Sequence, residues 1–218
     1  MRDLAHQKTY WDAAASAAVF THPLDPDWTR RYLRMDDRVL DCGCGYGRVL
    51  RDLRDRGHRR LAGTDLSPAM AARAHSLVPE VPIVAAGGDA LPFRDASFDA
   101  VLLFAVLTCV PLDADQRALV AEVHRLLRPA GIVYISDFLL GADARNRARY
   151  ARDAPGFGRH GVFEIDGGAV VRHHSREWID ELIEPFDTLA FDEFEVMTMH
   201  GNPASGFRCV ARRRPGAA

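Results

Sequence analysis

The sequence predicts an α/β fold, a mostly parallel sheet covered by helices, and three observations carry that prediction. From residue 38 onward, short apolar runs alternate with longer segments of helical period, the pattern of repeated strand–helix–strand units. The first apolar run flows straight into glycines, Cys42-Gly43-Cys44-Gly45-Tyr46-Gly47, and such a turn lets backbone approach a ligand at the start of a helix. Beyond residue 189 the pattern becomes strand-like alternation followed by a second short run, which suits an antiparallel pair closing one sheet edge.

Taken in order, residues 4–20 are Ala-rich and predict a helix able to pack as a lid over the sheet. Parallel strands are expected over 38–42, 61–64, 83–85, 100–104 and 132–135, with a helix over 46–56 after the glycine turn. The strongest helical pattern spans 115–127, where Leu119, Val120, Val123, Leu126 and Leu127 recur at helical spacing. Arg128-Pro129 ends it and Gly131 opens the next strand. Residues 139–174 form an insertion whose centre, 161–173, reads as a hairpin turning at Asp166-Gly167-Gly168. Ser175 caps a further helix, strands at 189–199 and 207–211 flank a Gly-Asn-Pro loop, and 212–218 is expected to be a frayed, solvated end.

A chain of 218 residues, 48% hydrophobic, suits one compact domain with a real core. Its expected parts are an N-terminal helical lid (1–36), a ligand-binding core (37–138), an insertion (139–174) and a C-terminal helix with a strand pair (175–213). A net charge of -2 supplies no global basic field, so nucleic acid is a poor first choice of partner. No apolar run approaches the roughly 20 residues that cross a bilayer, and the polar start lacks the core of a signal peptide. We therefore expect a cytoplasmic protein, monomeric or homodimeric, without membrane contact. Cys42 and Cys44 lie in the turn while Cys109 and Cys209 stand alone, so no disulfide or zinc spacing is apparent and no metal is expected.

The glycine turn is informative through what it lacks. A dinucleotide fingerprint needs Gly-x-Gly-x-x-Gly/Ala, but counting from Gly43 the third site is Arg48 and from Gly45 it is Leu50. The lysine of a phosphate-binding loop is also missing. Instead Asp41 precedes the glycines, and its carboxylate would repel a pyrophosphate but attract an ammonium group. The alternative for Asp41 is a cap on the turn. Asp65 follows the second strand, where an acid can accept from both hydroxyls of a ribose, and Asp89 stands in Gly87-Gly88-Asp89-Ala90 after the third. Asp99 reads as a strand-start residue.

With these motifs on the page, the block from Val39 to Phe138 resembles the class I S-adenosylmethionine-dependent methyltransferases, particularly the small type 11 group. It carries VLDCGCGYGR, GTDLSP, GGDALPF, SFDAVLLFAVLTCV and RLLRPAGIVYISDF in the family's order. The resemblance implies a Rossmann-like sheet of seven strands with the last one antiparallel. It implies that Asp41, Gly43, Cys44 and Gly45 hold the methionine end of S-adenosylmethionine, and that Asp65 binds the ribose with Leu66 against the adenine. Asp89 would accept from the adenine amino group beside the Ala90 backbone, and Phe104 would contact the methionine moiety through its main chain. An aromatic N-terminal lid would give Tyr10 and Trp11 a cofactor-closing role. The product would be S-adenosylhomocysteine.

The acceptor side is expected under the lid and the insertion. That insertion carries Arg145, Arg147, Arg149, Arg152, Arg159, His160, Arg172, His173 and His174. A cationic lining suits an anionic small molecule, while a solvated helical face is the alternative for the arginines. Alternation sends His173 and His174 to opposite faces, so one of them is a candidate base or acceptor contact; Tyr150 and Asp137 are weaker candidates. The expected function is methyl transfer to a small molecule, by analogy one of secondary metabolism. The rivals are a macromolecular acceptor, disfavoured because Thr108-Cys109-Val110-Pro111 stands where an Asn/Asp-Pro-Pro-Tyr/Phe motif would be, and a silent cofactor-binding partner protein.

Overall fold

The computed structural model describes residues 7–88 and 90–216. Seven strands form one sheet, β1 (Arg38–Cys42), β2 (Arg60–Asp65), β3 (Ile83–Ala85), β4 (Phe98–Phe104), β5 (Leu127–Phe138), β8 (Phe186–Met197) and β9 (Pro203–Arg213). Their order across the sheet is β3-β2-β1-β4-β5-β9-β8. The first five run parallel, and β9 enters antiparallel between β5 and β8. The sheet reverses its winding between β1 and β4, and in open α/β sheets that switch point is where a crevice opens beyond the strand ends.

Helices α3 (Arg48–Asp55), α4 (Pro68–Leu77), α5 (Asp113–Leu126) and α7 (Arg176–Leu182) follow β1, β2, β4 and the insertion. Two apolar layers result. In one, Leu119, Val123 and Leu126 of α5 and Ile179 of α7 pack on Val101, Leu103 and Ile135. In the other, Leu50 and Leu53 of α3 and Ala74 of α4 pack on Val39, Leu61, Leu102 and Tyr134. The central strand β4 is buried along its whole length, which explains its unbroken apolar sequence. At its start, the Asp99 carboxylate accepts from the Arg38 amide at 2.6 Å and pairs with Arg128 at 2.6 Å; this is the strand-start role read from the sequence. Edge strand β8 carries Asp187, Asp192, Glu193 and Glu195, charges that discourage pairing with a further strand.

The insertion comprises α6 (Ala144–Phe157) and a separate antiparallel hairpin, β6 (Val162–Glu164) and β7 (Val170–Arg172). It turns at Asp166-Gly167-Gly168 as expected, with Gly167 and Gly168 at φ 90 and 94, a backbone that glycine adopts without strain.

Three expectations need correction. The N-terminal helix α1 (Gln7–Ala14) stops well before residue 20, because the Arg73 guanidinium of α4 takes the Ala15 and Ala18 carbonyls at 2.8 and 3.0 Å and ends the turn there. A further helix, α2 (Pro26–Tyr32), follows; Asp25 caps it by accepting from the Asp27 and Trp28 amides, and Pro26 fills its first turn. At the other end, β9 runs through Arg212 and Arg213; Arg213 donates to the Leu127 carbonyl and Arg214 pairs with Asp187, so the first three residues of the expected frayed tail are held on the sheet. Among the described residues, no helix is long and apolar enough to cross a membrane.

Candidate functional site

Beyond β1 the chain makes three positive-φ steps, at Gly43, Gly45 and Gly47 (φ 74, 53 and 85). Side chains from elsewhere fill the space a Cβ would need. Val106 lies 2.7 Å from the Cβ position of Gly43, and the Phe20 ring overlaps that of Gly45. Val106 reaches there because Ala105, the residue after β4, also takes a positive φ of 55, a strain of about 1 kcal/mol held by its amide bond to the Ser136 carbonyl at 2.8 Å.

Asp41 sits directly under this turn. It is buried, and its Oδ2 has no hydrogen-bond partner, so capping the turn does not account for that oxygen. Burial pushes its carboxyl up to about 7, against the pull of the Arg48 guanidinium. An orphaned buried carboxylate oxygen is costly and marks a place for a cation. Asp65, at the end of β2, accepts from the Gly45 amide at 2.8 Å and the Ser67 amide at 2.9 Å. Each oxygen keeps a lone pair, and burial raises its carboxyl too. Leu66 beside it is 44% exposed and offers an apolar surface to the crevice. Cys44 lines the same wall, its amide bonded to the Thr64 carbonyl. Asp89 lies outside the described residues. Ala90 is exposed and its loop is braced one residue later, where the Leu91 amide donates to Glu122 at 2.7 Å.

Asp41, Gly43, Cys44, Gly45, Asp65 and Leu66 line one cavity of about 580 Å³ that continues past Phe104 towards the insertion. Its roof is the N-terminal segment. Trp11 and Phe20 line it, while Tyr10 turns to the Gly167 corner of the hairpin and is not among the lining residues. The roof is fastened at both ends. The Gln7 side chain exchanges two hydrogen bonds with the main chain of Val170 (2.6 and 2.8 Å), and the Arg48 guanidinium donates to the His22 carbonyl. Beyond the roof the His22 ring is buried against Phe138, neither nitrogen hydrogen-bonded, and burial lowers its pKa to about 4.

The insertion sorts its own arginines. Arg159 and Arg172 both pair with Asp113 and lie over the Trp178 ring; Arg152 pairs with Asp153. Arg145 and Arg149, one turn apart on α6, line the cavity instead. His173 joins them there, stacked on Phe138, with Nδ1 2.7 Å from the Tyr150 hydroxyl and Nε2 3.4 Å from Arg149. Burial, aided by the Arg149 charge, pushes its pKa well down. His174 points the other way, as alternation requires. It is not among the cavity residues: Nδ1 donates to the Phe138 carbonyl (3.1 Å), Nε2 accepts from Gln116 (2.8 Å), and burial lowers its pKa to about 3. Asp137 is fully buried and accepts from the amides of Thr108 and Phe138, which fixes the segment after β4 rather than the cavity wall. Phe20, His22 and Arg48 were not singled out from the sequence. Arg48 follows the last turn glycine and could have been found from that position; Phe20 and His22 owe their places to long-range packing. Among the described residues, no three His, Cys, Asp or Glu side chains cluster to hold a metal ion.

A doubly wound sheet with a glycine-lined, acid-floored crevice at its switch point defines a domain built to hold a nucleoside cofactor that carries a positive charge. Comparison with known proteins gives that cofactor its name. A methyltransferase-domain family model matches residues 40–135. A demethylmenaquinone methyltransferase of Beutenbergia cavernae is 33% identical over 126 residues, 55% of this chain and 50% of its own. A 27-O-demethylrifamycin SV methyltransferase of Amycolatopsis mediterranei is 32% identical over 139 residues, 60% of this chain and 50% of its own. The chain thus spans about half the length of the curated relatives it matches. The crystal structure of an S-adenosylmethionine-dependent methyltransferase from Methanosarcina mazei superimposes with a TM-score of 0.82 at 25% identity, covering 88% of this chain and 99% of that one. Residues 40–135 are thus a methyltransferase domain, the fold is that of an S-adenosylmethionine-dependent methyltransferase, and S-adenosylmethionine is the cofactor of such domains. The residues present fit that group: a buried carboxylate with one orphaned oxygen for an ammonium, and an acid with free lone pairs at the second strand end.

Proposed function

We propose that this protein transfers a methyl group from S-adenosylmethionine to a small molecule bound under the N-terminal segment and the insertion. The observation that carries the reading is the continuity of one roofed cavity, about 580 Å³, from the Asp41 floor to the Arg149–His173 end. That volume lies within the range of small-ligand sites, roughly 300 to 1,000 Å³, and the roof narrows access for a macromolecular acceptor. The likeness to a rifamycin methyltransferase supports an acceptor from secondary metabolism, and four free cysteines accord with a reducing, cytoplasmic setting.

The cofactor supplies an already activated methyl group on its sulfonium. The protein's part is to orient and to exclude water. Asp41 and the Gly43–Gly45 backbone hold the amino-acid end, Asp65 the ribose, and Asp89 with the Ala90 backbone the adenine, with Leu66 as platform and Phe104 as the floor beneath the methionine chain. Trp11 and Phe20 cover the cleft, and Tyr10 secures that cover to the hairpin. His173 contacts the acceptor, and His174 holds the strand end from which His173 projects. The same burial that keeps His173 neutral makes it a weak proton acceptor, so it serves an acceptor that arrives deprotonated or polarised.

Calorimetric titration with S-adenosylmethionine and S-adenosylhomocysteine, followed by a product-release assay over an acceptor panel, tests the reading. Tight binding of both with turnover of a small acceptor is expected. Binding without turnover of any small acceptor, or turnover confined to RNA or protein, would sink it.

A further inference from the structure

We infer that the acceptor carries a carboxylate and that Arg149, assisted by Arg145, is the clamp that selects it. This rests on the methyl-transfer reading, because the clamp lies in the cavity that the cofactor shares. Three observations converge on Arg149. First, among the described residues no carboxylate lies within ion-pair distance of it, although Arg152, Arg159 and Arg172 of the same insertion each have one. Asp153, the nearest acid in sequence, pairs with Arg152, and Asp143 is engaged by the Asn146 amide as the cap of α6. Second, the guanidinium is half-buried and its Nε is buried without a partner. Burial, reinforced by the like charge of Arg145, pulls its pKa down, so the group stands in a place that disfavours its own charge. Third, it is positioned rather than loose: its carbon centre rests 3.7 Å from the centre of the Phe163 ring, and one terminal nitrogen reaches His173 at 3.4 Å, a long contact.

A guanidinium packed over an aromatic ring still offers N–H groups at its rim, and that fork matches the two oxygens of a carboxylate. The walls nearby are apolar, from Phe138, Phe163 and Val171. They favour a flat hydrophobic body behind the anion over a strongly hydrated one. Arg145 adds a second positive charge at the same end and donates to the Pro203 carbonyl at 3.3 Å. The cavity is thus polarised, with an unpaired acid where the cofactor's cation belongs and an unpaired base where the acceptor's anion belongs.

The probes are benzoate and its neutral counterpart benzamide, titrated into the full chain saturated with S-adenosylhomocysteine. Binding of S-adenosylhomocysteine is measured first; its absence would refute the cofactor reading and leave the clamp to be judged on the apo protein by the same pair of probes. Benzoate is expected to bind about ten- to a hundredfold tighter than benzamide, the range for a hydrogen-bonded charged pair. Arg149→Gln should abolish that preference, Arg149→Lys should restore part of it, and S-adenosylhomocysteine affinity should be unchanged in both. Equal affinities in the unsubstituted protein, no benzoate binding at millimolar concentration, or a preference that survives Arg149→Gln would each overturn the clamp. Because the first two outcomes need no variant, a misfolded substitution cannot shelter it.

Discussion

The two ends of the cavity solve opposite electrostatic problems with different kinds of scaffold. At the cofactor end, Asp41 and Asp65 project from the ends of adjacent parallel strands paired residue by residue, Asp41 opposite Gly63. At the acceptor end, Arg149 sits on an insertion helix and His173 just beyond a three-residue strand. The first end is built into the sheet that every part of the core supports. The second hangs on contacts between segments, such as Gln7 with Val170 and Tyr150 with His173. The lesson is that one end can hold a buried carboxyl with an orphaned oxygen because the sheet fixes it, whereas the other needs stacking on Phe163 and Phe138 to keep its charge and ring in place.

Cofactor affinity is the measure that separates the two ends. The largest effect belongs to Asp41→Asn, which keeps the shape and removes the charge. Affinity should drop about a hundredfold, about 3 kcal/mol, by calorimetry with S-adenosylmethionine. The same variant should melt higher than the unsubstituted apo protein at pH 8, by roughly 1 to 2 kcal/mol of stability, because a buried unpaired carboxylate no longer has to ionise. A loss of both affinity and stability would show that Asp41 serves the fold and not the ligand.

Asp65→Ala should cost about 1 to 3 kcal/mol of affinity, and unchanged affinity would mean that the ribose lies elsewhere. A smaller, graded effect comes from pH. With its folded pKa raised to about 7 by burial, Asp41 is neutral below that value and attracts no ammonium, so affinity should fall by up to about tenfold per unit as pH drops from 7 to 5. Apo stability has the reverse sign. The raised folded pKa favours the protonated form, so that contribution is complete below the unfolded value near about 3.9 and is lost as pH rises through 7. An affinity that is flat between pH 5 and 7 in the unsubstituted protein would break the assignment.

The difference between the ends also explains what could be read from the chain alone. Strands 38–42 and 83–85 were legible to the residue, and so was the hairpin corner at Gly167-Gly168, because period, glycine and turn chemistry are local signals. The acids at the strand ends followed from the same signals. The lid was legible only as a helical tendency. Its true end depends on Arg73, some 60 positions away, reaching the carbonyls of Ala15 and Ala18, and α2 was missed although Asp25-Pro26 is a start signal. At the acceptor end, residue type identified the arginines and histidines as a group. Which arginines keep a carboxylate and which histidine meets the cavity are decided by partners such as Asp113 and Gln116, which sequence spacing does not reveal.

The smallest change in cofactor affinity is expected from the histidines, and it sharpens the contrast most. His173→Ala and His174→Ala should each leave S-adenosylhomocysteine affinity within about 0.5 kcal/mol, as for sites with no shared partners. Their other consequences should diverge. His174→Ala strips Gln116 and the Phe138 carbonyl of a buried partner, so thermal melting should show a loss of about 1 to 3 kcal/mol. His173→Ala leaves a gap open to the cavity and should lower turnover of an identified acceptor more than it lowers stability. If His173→Ala instead abolished cofactor binding, the two ends would be one coupled site, and the division drawn between sheet-borne and insertion-borne halves would fail.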